Sequence, residues 1–111
     1  MIPVREYEGQ AVAVFGLARS GLAAVRSLCE GRANVIAYDD KPDSREAARA
    51  LGAEIVDPQR WAWSGLAALV LSPGVPLTHP APHPVVRRAN EAGVPIIGDI
   101  ELFALSIGHL A

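Results

Sequence analysis

Apolar residues fall along this chain in two alternating rhythms. Short, mainly apolar stretches at Ala11–Phe15, Asn34–Tyr38, Glu54–Val56, Ala67–Leu71 and Pro95–Ile97 have the lengths and branched character of strands. Between them, apolar positions recur every three or four residues, as on one face of a helix. Leu22, Val25 and Leu28 define such a face over Arg19–Glu30, with Gly31 as its C-cap. Asp43 to Glu46 fits a capping box opening a second helix through Leu51, which Gly52 closes. Pro84 opens a third helix, through Ala92 and stopped by Gly93. Asp99 reads as the N-cap of a last amphipathic helix to Leu110, with Ile100, Phe103, Ala104 and Ile107 facing inward. The stretch from Pro58 to Gly65 predicts an irregular or one-turn helical connection, and its Trp61 and Trp63 are assigned to packing because neither adjoins the glycine turn described below.

Strands alternating with helices at this spacing imply right-handed crossovers. The expected fold is α/β: an open, Rossmann-like, five-stranded parallel sheet of order 3-2-1-4-5 with helices on both faces. Ligands of such sheets bind beyond the carboxyl ends of the strands where strand order reverses, here between strands one and four. Gly16–Gly21 after the first strand and Ser72-Pro73-Gly74 after the fourth therefore face one crevice.

Composition narrows the partners more than the fold. A length of 111 residues suits a single domain, and a net charge of −2 supplies no basic field for nucleic acid or an anionic membrane. The longest apolar run, Leu66–Leu71, is far short of the roughly 20 residues that span a bilayer. Residues Met1–Gln10 contain no apolar core of a secretory signal, so a cytoplasmic location is expected. Cys29 has no internal disulfide partner and is expected as an inert core thiol. His79 and His83 are four apart, but the prolines between them prevent a shared helical face, so no metal site is expected and both are expected as surface histidines.

The residues that carry chemistry cluster after the strands. Gly16-Leu17-Ala18-Arg19-Ser20-Gly21 is a dinucleotide-type fingerprint whose middle glycine is Ala18. That glycine normally lets the backbone approach a pyrophosphate closely, so the Ala18 methyl disfavours NAD, while Arg19 and Ser20 offer a cation and a hydroxyl to a diphosphate held less tightly. Asp39 lies eighteen positions after Gly21, where a carboxylate can accept from a ribose hydroxyl or a base N–H and repels a 2′-phosphate. Asp40 is either a turn residue or a second ligand contact, and Lys41 either screens the pair or lies along a ligand. Ser72 and Gly74 can reach a phosphate or sugar oxygen. Nucleophile, base and orienter do not occur together and no Gly-Lys-Ser/Thr loop is present, so catalysis by this chain alone is not expected.

With Gly16–Gly21, Asp39, Ser72-Pro73-Gly74 and Gly98-Asp99-Ile100-Glu101-Leu102-Phe103 together at this spacing, the chain resembles the N-terminal domain of the Mur ligase family, in its D-glutamate-adding branch. The resemblance runs from about residue 8 to residue 108 and departs from the usual pattern at Ala18, often glycine, and at Asp40, often a small hydroxyl residue. It implies a domain that holds the UDP end of UDP-N-acetylmuramoyl-L-alanine in peptidoglycan synthesis. Arg19 and Ser20 would meet the diphosphate, Asp39 and Asp40 the uracil with Lys41 near it, and Ser72, Pro73 and Gly74 the diphosphate and sugar. Gly16, Leu17, Ala18 and Gly21 would form the phosphate turn. A carboxylate against the uracil N3–H would reject cytosine, which lacks that donor.

The same resemblance implies an ATP- and Mg²⁺-dependent parent ligase, with central and C-terminal domains beyond this one, a monomeric state, and no cofactor or metal bound by this chain. A nicotinamide-dinucleotide domain of an oxidoreductase or redox-sensing regulator is the rival expectation, and a ligand-free interaction module is the third.

Overall fold

The computed structural model describes residues 5–72, 83–98 and 101–102. Its elements are β1 (Ala11–Phe15), α1 (Arg19–Glu30), β2 (Asn34–Tyr38), α2 (Pro42–Ala50), β3 (Glu54–Ile55), β4 (Leu66–Leu71), α3 (Pro84–Ala92) and β5 (Ile96–Gly98). The strands form one parallel sheet in the order β3-β2-β1-β4-β5. Strand order reverses on the two sides of β1, as the alternation of rhythms predicts.

Each face of the sheet carries its own core. Val12, Val14, Val35, Ala37, Ala68 and Val70 pack with Leu17, Ala24, Val25 and Leu28 around α1. Ala13, Phe15, Leu66, Leu69 and Leu71 pack with Trp61, Trp63 and the inner face of α3. Burial on both faces explains why β1 and β4 read as continuous apolar runs. β4 begins one residue earlier than the sequence pattern suggests. Its Leu66 pairs with Ala11 while Ala68 pairs with Val12, so Ala67 is an extra residue in the register. The extra residue reverses the alternation, which is how Leu66 and Leu69, three apart, reach the same core.

Between β3 and β4 the chain makes two short 3₁₀ turns, Pro58–Arg60 and Trp63–Gly65, in place of a crossover helix. The tryptophans of this connection are buried in the core on the α3 side of the sheet. Their ring centroids are 5.1 Å apart, and their indole N–H groups donate to Val56 O at 2.7 Å and to Pro58 O at 3.0 Å. Both are packing residues, as expected from sequence.

Several boundaries and faces differ from expectation for local reasons. α2 opens at Pro42 rather than at Asp43, because proline supplies the helical φ of a first turn, and Asp43 lies inside that turn with no capping role. The inner face of α1 is centred on Ala24, Val25, Ser27 and Leu28, while Leu22 is half-buried at its margin. Cys29 is half-buried against the core rather than within it. β3 is one residue shorter, and β5 runs from Ile96 to Gly98 instead of Pro95 to Ile97. Of the last expected helix, Glu101 and Leu102 are helical and Leu102 is fully buried on the α1 side. Asp99, Ile100 and Phe103–Leu110 lie outside the described residues.

Candidate functional site

At the carboxyl end of β1 the chain turns on Gly16, whose φ of 92° is accessible chiefly to glycine. The Gly16 N–H donates to Tyr38 O at 3.1 Å, and the Gly16 carbonyl accepts the Ser72 hydroxyl at 2.7 Å in a buried bond. Gly21 sits on the same carbonyl: a Cβ there would lie 1.9 Å from Gly16 O. The first turn of α1 thus presses directly on the glycine turn, and no side chain fits between them. Ala18 is the N-cap of α1 and offers no side-chain acceptor, so the first amides of the helix have no intrahelical partner. Ala18 and Arg19 are exposed around them, and Ser20 is half-buried.

The loop after β2 is tied to this turn by Asp39. One carboxylate oxygen accepts the Leu17 N–H at 2.7 Å and the other accepts the Lys41 N–H at 2.8 Å. Asp39 therefore joins the glycine turn to the start of α2, and each oxygen keeps a lone pair for another donor. The second tie comes from Arg45. Its Nη1 donates to Asp39 O at 2.9 Å and to Asp40 O at 3.2 Å, and its guanidinium lies 5.1 Å from the centre of the Tyr38 ring. Asp40 and Lys41 are exposed beside it.

The sequence expectation that Ser72 and the glycine turn lie together is met more closely than a crevice requires, since Ser72 is in direct hydrogen-bond contact with Gly16. Its O–H hydrogen serves the fold, leaving the hydroxyl oxygen as an acceptor. Pro73, Gly74 and His79 lie outside the described residues. His83 is no free surface histidine: its Nδ1 accepts the Val85 N–H at 3.2 Å, capping α3, and its ring lies 4.7 Å from that of Phe15. Arg45 and Tyr38 are the residues of this site that the sequence does not single out. The one hint was an aromatic residue at the last position of a strand with an arginine on the following helix, too common a pattern to act on.

The arrangement gathers helix amides without an intrahelical partner, an exposed arginine and a bonded carboxylate at one end of the sheet. It can take an anion at the start of α1 and a hydrogen-bond donor at Asp39. A separate concavity of about 320 Å³ lies at the opposite end, between Ala11, Ile36, Glu54, Trp61 and Leu66. It opens at the amino ends of the strands, away from the loops where parallel sheets carry their ligands. Among the described residues there is no group of three or more side chains able to hold a metal, and no helix long and apolar enough to cross a membrane.

No protein-family profile matches the chain. Individual relatives do. The chain is 62% identical over 107 residues to the UDP-N-acetylmuramoylalanine–D-glutamate ligase of Phenylobacterium zucineum, covering 96% of this chain and 23% of the ligase. The ligase of the same name from Caulobacter sp. is 58% identical over the same proportions, and that of Rhizobium meliloti is 54% identical over 93% of this chain and 22% of its own length. The chain thus spans about a quarter of the length of these relatives, at their N-terminal end. Among solved structures, shikimate dehydrogenase from Aquifex aeolicus superposes with a TM-score of 0.67 at 14% identity, covering 91% of this chain and 46% of that one. A transhydrogenase from Sinorhizobium meliloti gives 0.61 at 20% identity, covering 91% and 41%. At such identities these two speak for the Rossmann-like fold alone.

Proposed function

We propose, for a chain that belongs by sequence with the N-terminal part of the UDP-N-acetylmuramoylalanine–D-glutamate ligases, that it is the domain holding the UDP end of the ligase substrate. The observation that carries this reading is the Asp39 carboxylate bridging the Leu17 and Lys41 amides. The bridge sets a base-reading acceptor and an anion-binding helix start at a fixed separation, as one nucleoside diphosphate requires. Arg19 and Ser20 take the diphosphate with the first amides of α1. Asp39 accepts the uracil N3–H, Asp40 makes the second uracil contact, and Lys41 stands near it. Ser72, Pro73 and Gly74 line the sugar and diphosphate side, with the Ser72 oxygen as acceptor.

In the longer enzyme this domain anchors UDP-N-acetylmuramoyl-L-alanine while D-glutamate is joined to it in the cytoplasm for peptidoglycan synthesis. ATP and Mg²⁺ belong to the rest of that enzyme. This chain has no Gly-Lys-Ser/Thr loop, and its described residues form no metal-ligating group, so no step through ATP or Mg²⁺ is assigned to it.

Calorimetry of the chain with UDP and with NAD tests the reading. UDP is expected to bind more tightly, and tighter binding of NAD would instead support a dinucleotide domain. Asp39→Ala should weaken UDP far more than Asp43→Ala, whose side chain lies on the first turn of α2 without a part in the bridge. Equal losses in the two variants would take Asp39 out of the site.

A further inference from the structure

We propose that Arg45 is the positioning residue of the base-reading loop, acting through the backbone of Asp39 and Asp40 rather than by touching the ligand; this rests on the uracil reading of Asp39 above. Three consecutive residues converge on its guanidinium. The Tyr38 ring lies beneath it, and the Asp39 and Asp40 carbonyls accept from the same Nη1. Tyr38 and Asp39 also hold the glycine turn, Tyr38 through its carbonyl to the Gly16 N–H and Asp39 through its carboxylate to the Leu17 N–H. Fixing the backbone of residues 38–40 therefore fixes where the Asp39 carboxylate points, and with it the distance from the base acceptor to the start of α1.

The charge pattern fits the same role. Asp39 and Asp40 are consecutive acidic residues, and a cation bonded to both of their carbonyls balances the negative charge they bring to the loop. Arginine suits the task because a planar guanidinium can lie along an aromatic ring while its N–H groups point in-plane at carbonyls, a geometry that an ammonium does not reproduce.

The test compares wild type, Arg45→Met, which keeps an apolar stem, and Arg45→Lys, which keeps the charge. Affinities for UDP, CDP and UMP are measured with amide hydrogen exchange on the unliganded chain. Arg45→Met should reduce the preference for UDP over CDP by about tenfold while leaving the preference for UDP over UMP, which reports the helix amides, within about twofold of wild type. Arg45→Lys should recover part of the lost discrimination. Without ligand, the Leu17 and Lys41 amides of Arg45→Met should lose protection while those of α3 keep theirs.

Wild-type base discrimination and amide protection in a folded Arg45→Met would overturn the proposal and leave the uracil reading standing. So would an equal fall in both preferences, the mark of a merely structural residue. A wild-type chain that does not prefer UDP to CDP overturns the uracil reading and this proposal with it. Should Arg45→Met fail to fold, Arg45→Lys decides alone: wild-type discrimination and wild-type protection at Leu17 and Lys41 would overturn the proposal.

Discussion

Two buried serines show how the same side chain can help or burden this fold. Ser72 spends its hydroxyl hydrogen on the Gly16 carbonyl at 2.7 Å, in the contact that locks the end of β4 to the glycine turn. Ser72→Ala leaves that carbonyl without its side-chain donor and is expected to cost about 1–2 kcal/mol, read as a lower midpoint in denaturant unfolding. Ser27 is fully buried on α1, and its hydroxyl has no hydrogen-bond partner among the described residues. Ser27→Ala removes an unsatisfied group and adds a better helix former, so it should stabilise by about 0.5–1 kcal/mol. A midpoint that fell in Ser27→Ala would mean the hydroxyl has a partner after all. Neither role is legible in sequence: Ser72 was visible as a crevice residue by its place after a strand, but its bond reaches across 56 positions. Asp39 is a similar case, chosen for its distance from the glycines while its two backbone bonds stayed hidden.

The elements were legible where their signals are local and periodic, and less so where a start is decided by competing caps. The Asp43–Glu46 pair has the spacing of a capping box, yet Pro42 and the Asp39 bond to the Lys41 amide start α2 before that box can form. α3 behaves in the opposite way. Its proline start and glycine stop are plain in the sequence, and Gly93 indeed ends it with a left-handed φ of 71°, while its actual cap, His83, reads from sequence as a surface histidine. His83 contributes both the bond to the Val85 amide and a ring against Phe15. His83→Ala is therefore expected to destabilise by about 1–2 kcal/mol and His83→Asn, which can still cap, by less. Equal thermal shifts for the two variants would show that the ring contact with Phe15, rather than the cap, is what matters.

At the scale of the whole molecule, the strand order followed from the alternation of strand and helix, because right-handed crossovers leave few other ways to cover both faces of a parallel sheet. What sequence could not supply was how the loops above that sheet are joined, since those joints are single hydrogen bonds between distant residues. The α1-side core also bears on pH dependence through two groups at its margin. Burial, and then the charge of Glu30, raises the Cys29 thiol above its ordinary value of 9.0, and burial, followed by Glu6, raises the Tyr7 phenol above 10.0. Both groups are neutral when protonated, and the folded state holds their protons more tightly than the unfolded chain does. Their contribution to stability is therefore complete below the unfolded values and is lost as pH rises through the folded ones, so the sign is a fall in stability above about pH 9. Thermal midpoints measured from about pH 8 to about pH 11 should drop in wild type and drop less in a Cys29→Ala, Tyr7→Phe double variant. If the double variant lost stability over that interval as steeply as wild type, the alkaline loss would have to come from other groups, and the margin of the α1-side core would carry none of it.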